Sequence, residues 1–480
     1  MIRIQNYING ELIAPNSENY FDNINPATGK KYALVPDSDD SDIELATQSA
    51  IKAKKEWNNS SIDFRFKVLM RIADLIESEK DNLALAESID NGKPLSLAKN
   101  IDIPRAISNF QFFATAIKHF ASDSHELIGE AINYTLKKPL GVVACISPWN
   151  LPLYSFTWKI APALAAGNCV IAKPSEITPM TAFLLSKICI KAGLPKGVLN
   201  IVHGWGNKVG NAISIHKEIK AISFTGGTET GKQIAKLAAP MFKKLSLELG
   251  GKNPNIIFSD CNYEEMMQTT LKSSFANQGQ ICLCGSRIFI ERSLYDKFKK
   301  DFVKRTKELI VGDPLSEQTD IGAIVSEKHQ EKIMSYIDLA KKEGGTLLCG
   351  GNRVNLTGDN KSGFFISPTI IEGLDFNCRT NQEEIFGPVV TIMPFDTEEE
   401  VLNFANSTDY GLSATLWTDS SSRIHRFTNN LEAGIIWVNS WLLRDLRTPF
   451  GGVKDSGIGR EGGFHALEFF TETKNICIKY

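Results

Sequence analysis

The stretch GVVACISPWNLPLYSFTWKIAPALAAGNCVIAK, residues 141–173, decides how the chain is read. Its first 18 residues, 141–158, carry no charge, which is the length of a membrane-spanning helix. Pro148 and Pro152 stand within it, and each would remove a backbone donor and crowd the preceding turn of a helix. A spanning helix is therefore excluded, and a buried loop region is expected over these residues. Around it GVVACI reads as a buried strand, IAPALAAG as helix and NCVIAK as a second strand. The alternation continues through a helix over 178–192, VLNIV, a helical segment over 208–215, the strand AISF and the helical TETGKQIAKLA. Short β-branched runs alternating with helical patterns imply a parallel sheet covered by helices.

A second alternation follows position 255: NIIF, an amphipathic helix from Tyr263, the strand SRIFIE and a helix from Leu294. Two α/β units in tandem are expected, joined near LELGGKNPN. Residues 130–138 and 475–480 fit neither unit. Ile132, Tyr134 and Leu136, and again Ile476, Ile478 and Tyr480, alternate with polar neighbours as half-buried edge strands do, and such strands often pair with another subunit. At the start, Asn9-Gly10 reads as a tight hairpin turn.

Bulk properties narrow the function. Over 480 residues, 42% hydrophobic and 22% charged content is that of a globular chain with a large core, and a net charge of −2 gives no attraction to nucleic acid or an anionic membrane. The first residues show no basic region followed by an apolar core, so no signal peptide is expected, and nine scattered cysteines read as free thiols in a reducing cytoplasm.

Four motifs carry candidate chemistry. FTGGTETGK (224–232) follows a strand and opens a helix, where glycines let backbone approach a phosphate. It misses a Walker loop because Gln233 stands where Ser or Thr would hold magnesium, and taken alone it is equally a structural turn. In IAKPSE (171–176), Lys173 and Glu176 fall at the carboxyl edge of the sheet. A Glu there would accept from a ribose 2′-hydroxyl and repel a 2′-phosphate, which favours NAD over NADP; a solvated ion pair is the plainer reading. LSLELGG (245–251) places Glu248 at a strand end before two glycines, as a general base or as an ordinary exposed carboxylate. NQGQICLCGSR (277–287) sets Cys282 and Cys284 one residue apart on a helix-to-strand connection. The seven histidines show no metal-ligand spacing, so no metal is expected, and the short spacing disfavours a disulfide. An activated thiolate and an inert buried thiol both remain open.

Taken in order, PWNLP (148–152), KPSE (173–176), FTGGTETG (224–231), LELGGKNP (247–254), NQGQICL (277–283), EEIFGPV (383–389) and PFGGVKDSGIGREGG (449–463) resemble the NAD(P)-dependent aldehyde dehydrogenase superfamily, over essentially the whole chain. The resemblance implies an α/β fold of two parallel-sheet domains. These are a Rossmann-like NAD-binding domain from 1–118 and 139–250 and a catalytic domain over 251–450. A small β oligomerisation arm from 119–138 and 464–480 would build a dimer or tetramer. It implies Cys282 as nucleophile, Glu248 as general base and Asn150 as oxyanion donor, with Cys284 a bystander. It assigns Lys173 and Glu176 to the adenine ribose, with Ser175 beside them in the cofactor-binding set, Gly206, Gly210 and the loop from Gly227 to Thr230 to the pyrophosphate, and Glu384 and Phe386 to the nicotinamide end. Ile146, Pro148, Trp149, Phe224, Thr225 and Leu249 join the NAD-binding set. Gly227 departs from the commoner family serine, so one phosphate hydrogen bond is lost or made by backbone.

SWLLRDLRTPFGG (440–452), FTGGT and DIPRAISNF (102–110) are more specific. They resemble the branch that oxidises 2-hydroxymuconate and 2-aminomuconate semialdehydes in aromatic catabolism, substrates with an aldehyde at one end and a carboxylate at the other. Arginine suits a carboxylate because its planar fork makes paired hydrogen bonds. Arg444 lies in an apolar setting, and Arg105 follows Pro104 in an apparent first helical turn, where a cation opposes the helix dipole unless an anion joins it. Pairing of Arg444 with Asp445 and of Arg105 with Asp102 is the alternative; Arg447 is a reserve candidate, and Trp158 matches an aromatic lining the aldehyde tunnel. Other readings keep the chemistry and change the aldehyde (succinate semialdehyde, betaine aldehyde, a broad aliphatic range), transfer the acyl group to coenzyme A, or make the chain a catalytically silent structural relative.

Overall fold

In the computed structural model, which describes residues 1–480, the uncharged stretch divides at its prolines. Val142–Ile146 is a fully buried strand, and Pro152 opens the helix Pro152–Ala165 in its first turn, where a missing N–H costs nothing. The buried loop expected over 141–158 is thus confined to residues 147–151. No helix is long and apolar enough to cross a membrane.

The first α/β unit is built on an eight-stranded sheet in the order 457–458, 244–248, 219–225, 142–146, 169–173, 199–201, 6–8, 11–13. Its five central strands are parallel. Both edges are antiparallel: Gly457–Ile458 on one side, and on the other the N-terminal hairpin, whose Asn9 (φ 54°) and Gly10 (φ 77°) adopt the left-handed turn expected of them. After Val142–Ile146 the chain winds outward through 169–173 and 199–201, then returns to lay Ile219–Thr225 on the other side of Val142–Ile146. That reversal opens a crevice at the carboxyl ends of these two strands, the place where open α/β sheets bind ligands.

The second unit carries a seven-stranded sheet, order 346–349, 369–372, 389–395, 287–291, 254–257, 413–417, 435–438, parallel except at the 346–349 edge. Its helix Arg292–Glu308 begins two residues before the expected Leu294. Ala131–Pro139 and Thr471–Lys479 pair with each other along their whole length, and Ser124–Leu127 adds a third strand. The segment expected as arm from residue 464 begins differently, as the helix Gly463–Phe469, and only the strand after it joins the three-stranded sheet.

Arg287 locks the second unit to the join between the two. It is 1% exposed and no carboxylate meets it. Its Nε donates to the Lys252 carbonyl at 2.9 Å, and Nη1 and Nη2 donate to the carbonyls of Phe404 and Ala405, both at 2.8 Å. The last two close the helix Glu398–Asn406, whose negative end suits a cation. Removing the guanidinium strands three buried carbonyls. Arg287→Leu is expected to lower unfolding free energy by about 3 kcal/mol, given the cost of unsatisfied buried groups, seen as a lower urea midpoint with an unchanged slope.

Candidate active site

The crevice of the first sheet faces the loops that enter the second. Residues 147–151 and 226–227 leave the carboxyl ends of the first sheet's central strands, while 249–253, 276–286 and 383–388 lead into Pro254–Ile257, Arg287–Glu291 and Val389–Phe395. Between them lies a cavity of about 210 Å³, lined among others by Pro148, Trp149, Asn150, Thr225, Gly227, Leu249, Cys282, Glu384 and Phe386. Segments some 240 residues apart in sequence are brought to one cleft.

The loop bearing the two cysteines is held in an unusual shape. Asn277 (φ 51°), Gln278 (φ 57°) and Gly279 (φ 68°) are all left-handed, and two of them lack glycine's freedom. Side chains fix this turn. Asn277 Nδ2 donates to the carbonyls of Asn150 (3.0 Å) and Gln280 (3.1 Å), and Gln278 Nε2 donates to that of Ala323 (2.8 Å). A Cβ on Gly279 would stand 2.1 Å from the Gly387 carbonyl oxygen, so only glycine fits against the 383–388 loop. Beyond the turn, Asn253 Nδ2 donates to the carbonyls of Cys282 (2.7 Å) and Cys284 (2.9 Å), and Trp441 Nε1 donates to that of Leu283 (2.9 Å). Cys282 reaches the main cavity. Cys284 is buried in the core and lies three residues before the strand that Arg287 begins, on the expected helix-to-strand connection.

Asn150 and Glu248 lie on the same side. Asn150 is 5% exposed, and its Nδ2 donates to the Gln280 carbonyl at 2.9 Å, beside the Cys282 turn. Glu248 is 3% exposed, which removes the reading of an ordinary surface carboxylate, and neither of its oxygens has a hydrogen-bond partner. Burial, then the nearby Glu461, pushes its carboxyl well above the usual range, against the pull of Lys159, Arg460 and Arg444. Burial also raises the Cys282 thiol, with Glu384 and Glu248 adding to the effect and Arg444 opposing it; Cys284 is pushed up to about 12 by burial. The two glycines after Glu248 serve close approach: a Cβ on Gly250 would sit 2.6 Å from Glu384 Oε2, and Gly251 N–H donates to Glu384 Oε1 at 2.9 Å.

On the opposite flank the geometry fits a dinucleotide. Lys173 Nζ meets Glu176 Oε2 at 2.8 Å; burial alone would raise this carboxyl, and Lys173 brings it below its ordinary value. Gly206 and Gly210 bound a wide helical turn whose first residue passes Glu176, and Ser175 Oγ accepts from Ile177 N–H at 3.2 Å. The helix Thr228–Ala238 starts directly after Gly227, so its positive end opens at the crevice. Thr230 is exposed in its first turn. Phe224 and Ile146 are the buried strand ends beneath, and Leu249 packs against Gly231. Two lining residues carried no sequence motif. His329 donates or accepts through Nε2 at the Phe386 carbonyl (2.7 Å) and packs edge-on against Trp149, and Lys332 joins it one turn on. Phe386 itself is left-handed (φ 61°), the sort of strained residue that gathers at binding sites.

The arginines meet on a tyrosine that sequence reasoning passed over. Arg444 Nη1 donates to Tyr154 Oη at 2.6 Å, and the Arg105 guanidinium carbon lies 5.6 Å from the centre of the same ring. The Arg444 carbon also faces Phe450 at 4.1 Å and Trp158 at 5.2 Å. Neither arginine has an acidic partner. Asp445 pairs with Arg447 at 2.5 Å, and Asp102 is buried against Lys93, so both alternative pairings are corrected. Arg447, the reserve candidate, has a side chain 79% exposed and is engaged by that acid. Nor is Arg105 in a first turn: helical backbone runs from Leu95 through a wide turn at Ala98–Asp102 into Ile103–Ala116, and the dipole argument does not apply.

Comparison with known proteins agrees with this geometry. Residues 12–476 match the model of the aldehyde dehydrogenase family. A 2-aminomuconic semialdehyde dehydrogenase of Bos taurus is 48% identical, over 100% of this chain and 99% of its own length. A 2-hydroxymuconic semialdehyde dehydrogenase of Pseudomonas sp. (strain CF600) is 45% identical, over all of both chains. Among solved structures, the NAD+ complex of an aldehyde dehydrogenase from Bacillus cereus superposes with a TM-score of 0.97 at 38% identity, covering 99% of this chain and 96% of that one. With its two facing α/β units and the thiol, amide and carboxyl gathered between them, the chain belongs to the aldehyde dehydrogenase family.

Proposed function

We propose that this protein is an NAD-dependent dehydrogenase of a semialdehyde that bears a carboxylate, of the 2-aminomuconate or 2-hydroxymuconate type. The observation that carries the substrate class is Arg444: an acid-free guanidinium held by Tyr154 among aromatic rings, close enough for its charge to act on both Cys282 and Glu248. An anion at the far end of a substrate satisfies it, and Arg105 on the other side of Tyr154 supplies a second cation. A quaternary ammonium aldehyde would be repelled.

Cys282 forms the bond. Its S–H proton passes to water in the cleft, the sulfur adds to the aldehyde carbon and the carbonyl π electrons move onto oxygen. Asn150 Nδ2, with the Cys282 backbone N–H, holds that oxyanion; one such donor is worth about 3–4 kcal/mol of barrier. Bound NAD would supply the acceptor for the hydride that this carbon gives up. Lys173 and Glu176 hold its adenosine end, the 226–230 turn its phosphates, and Glu384 and Phe386 its nicotinamide end. A thioester on Cys282 remains. Glu248 takes a proton from the water that attacks the thioester, C–O forms, C–S breaks, and the acid leaves with the thiol restored. A carboxyl kept neutral by burial needs solvent to reach it before it can serve, so this step depends on water entering the cleft. Ala131–Pro139, expected as an edge strand, is the middle one; the two edges of this sheet, Ser124–Leu127 and Thr471–Lys479, support association of copies of the chain through it.

Three outcomes are expected. Cys282→Ser should reduce NADH formation at least roughly a thousandfold, as loss of a nucleophile does, while Cys284→Ser stays within a few-fold; the reverse would sink the assignment. Because burial raises Glu248, its stability contribution is fully present below the ordinary carboxyl value of 4.5 and is lost as pH rises through the raised value. Glu248→Gln should therefore melt higher than the parent at pH 8, with the gap closing as pH falls, while the hydrolytic rate, which rises with pH in the parent, becomes low and flat. Lastly, kcat/KM measured over 2-hydroxymuconate semialdehyde, succinate semialdehyde, betaine aldehyde and hexanal should favour the carboxylates, and Arg444→Met should erase that preference by about 100-fold, the scale of a lost charged hydrogen-bonding partner. A preference for hexanal in the parent would overturn the substrate class.

A further inference from the structure

Tyr154 sits at the centre of the two arginines, and its hydroxyl is only half used. It accepts from Arg444 Nη1 at 2.6 Å, and its own proton goes to no acceptor in the protein. A phenol both donates and accepts, so the hydroxyl of Tyr154, a residue 9% exposed beside two cations, has one donor left for an anion. Its position is fixed from behind. Asn109 Nδ2 donates to the Tyr154 carbonyl at 3.2 Å and to Thr157 Oγ1 at 3.0 Å, which pins the helix Ile103–Ala116 against Pro152–Ala165. Arg105 and Asn109 stand four apart on one face of the first helix, and Tyr154 and Trp158 four apart on one face of the second. The contact that holds the helices together therefore delivers Arg105 to the Tyr154 ring, while Arg444 arrives from the 440–450 loop between Trp158 and Phe450.

We propose that Tyr154 is a specificity-determining residue of this site: its hydroxyl donates to the far carboxylate of the substrate, its oxygen orients Arg444, and its ring holds Arg105 alongside. The inference rests on the carboxylate-bearing substrate proposed above. It makes the grip a three-donor one, in which the neutral hydroxyl is oriented by one of the charges it assists. An aldehyde without a carboxylate has nothing to offer the hydroxyl and should be indifferent to it.

Tyr154→Phe keeps the ring and removes only the hydroxyl. With 2-hydroxymuconate semialdehyde and saturating NAD, kcat/KM should fall about tenfold, the size of one hydrogen bond to a charged group, with the loss in KM and kcat nearly unchanged. With hexanal it should stay within twofold. Tyr154→Leu, which also removes the platform for Arg105, should lose more on the carboxylate substrate and again little on hexanal. Taking the ratio of the two substrates on one preparation cancels any difference in the folded fraction. Arg444→Met, run in parallel, separates the two ideas. If the parent shows no carboxylate preference, the substrate class itself is wrong; if Arg444→Met leaves the preference intact, the arginine grip on which this inference builds is wrong. If it erases the preference while Tyr154→Phe retains the parent ratio, Tyr154 is a packing residue and this inference alone is overturned.

Discussion

The carbonyl oxygen of Asn150 is the point at which the molecule is tied together. Three side chains donate to it: Lys93 Nζ at 3.1 Å, Asn277 Nδ2 at 3.0 Å and, more loosely, Asn91 Nδ2 at 3.4 Å. Asn277 brings the cysteine turn of the second unit; Asn91 and Lys93 come from the helix Lys80–Asn91 and the residues after it. Lys93 is fully buried, and Asp102 contacts its ammonium with Glu87 3.8 Å away. A buried cation without its acid would cost several kcal/mol, so this cluster is held by charge as well as by shape. Asp102 closes the wide turn from which the helix carrying Arg105 departs. One oxygen thereby sets the register among the Asn150 amide, the Cys282 turn and the helix that carries Arg105. The Asn150 side chain, donating to Gln280 O, aims from the same anchor.

Much of this architecture is legible in the sequence for a physical reason. Strand and helix periods differ, and the buried strands 142–146, 169–173 and 219–225 are β-branched runs bounded by glycine, proline or polar turns. The helix Thr228–Ala238 coincides with TETGKQIAKLA because its apolar spacing and the glycines before it agree. Backbone that contradicts local preference is not legible. Nothing in the letters of Asn277, Gln278 or Phe386 says that each is left-handed; tertiary hydrogen bonds impose it. The wide turn at Ala98–Asp102 hid likewise, since Pro104 looks like a helix start and is instead carried inside a longer helical run. Tyr154 escaped because an aromatic at helical spacing reads as core, and only the arrival of Arg444 from a loop 290 residues later gives its hydroxyl a purpose.

Burial dominates the electrostatics of the cleft. Cys282 and Glu248 are both shifted toward their neutral forms, chiefly by loss of water, and further by Glu384 and Glu248 at the thiol and by Glu461 at the carboxyl. Two anions forced together here would repel, so the fold stores two neutral groups whose ionisation follows from what enters the cleft. Arg444 is the one cation whose charge favours the ionised form of both. The destabilisation is local: a partnerless buried carboxyl lowers stability at neutral pH, and cores elsewhere, with strands packed on both faces, carry that cost.

Why Arg444 stays free of an acid is settled by its own neighbours. The segment 444–447 offers two arginines and one aspartate. Asp445 Oδ1 accepts the backbone N–H of Arg447 at 2.9 Å, a local turn that aspartate forms readily, and this points the carboxylate forward along the chain. Arg447 Nε then meets both oxygens at 3.0 Å. The acid is consumed by the residue that follows it, and the residue that precedes it is turned inward. There, between Trp158 and Phe450, a weakly hydrated planar guanidinium loses less on leaving water than an ammonium would. Trp437 Nε1 donates to the Leu443 carbonyl and Trp441 Nε1 to Leu283, both at 2.9 Å, which fastens this loop to the Cys282 turn. The distance between the Arg444 guanidinium and the Cys282 thiol is therefore set by two indole hydrogen bonds on either side of Leu442, and in the proposed reaction that span is what a substrate must match.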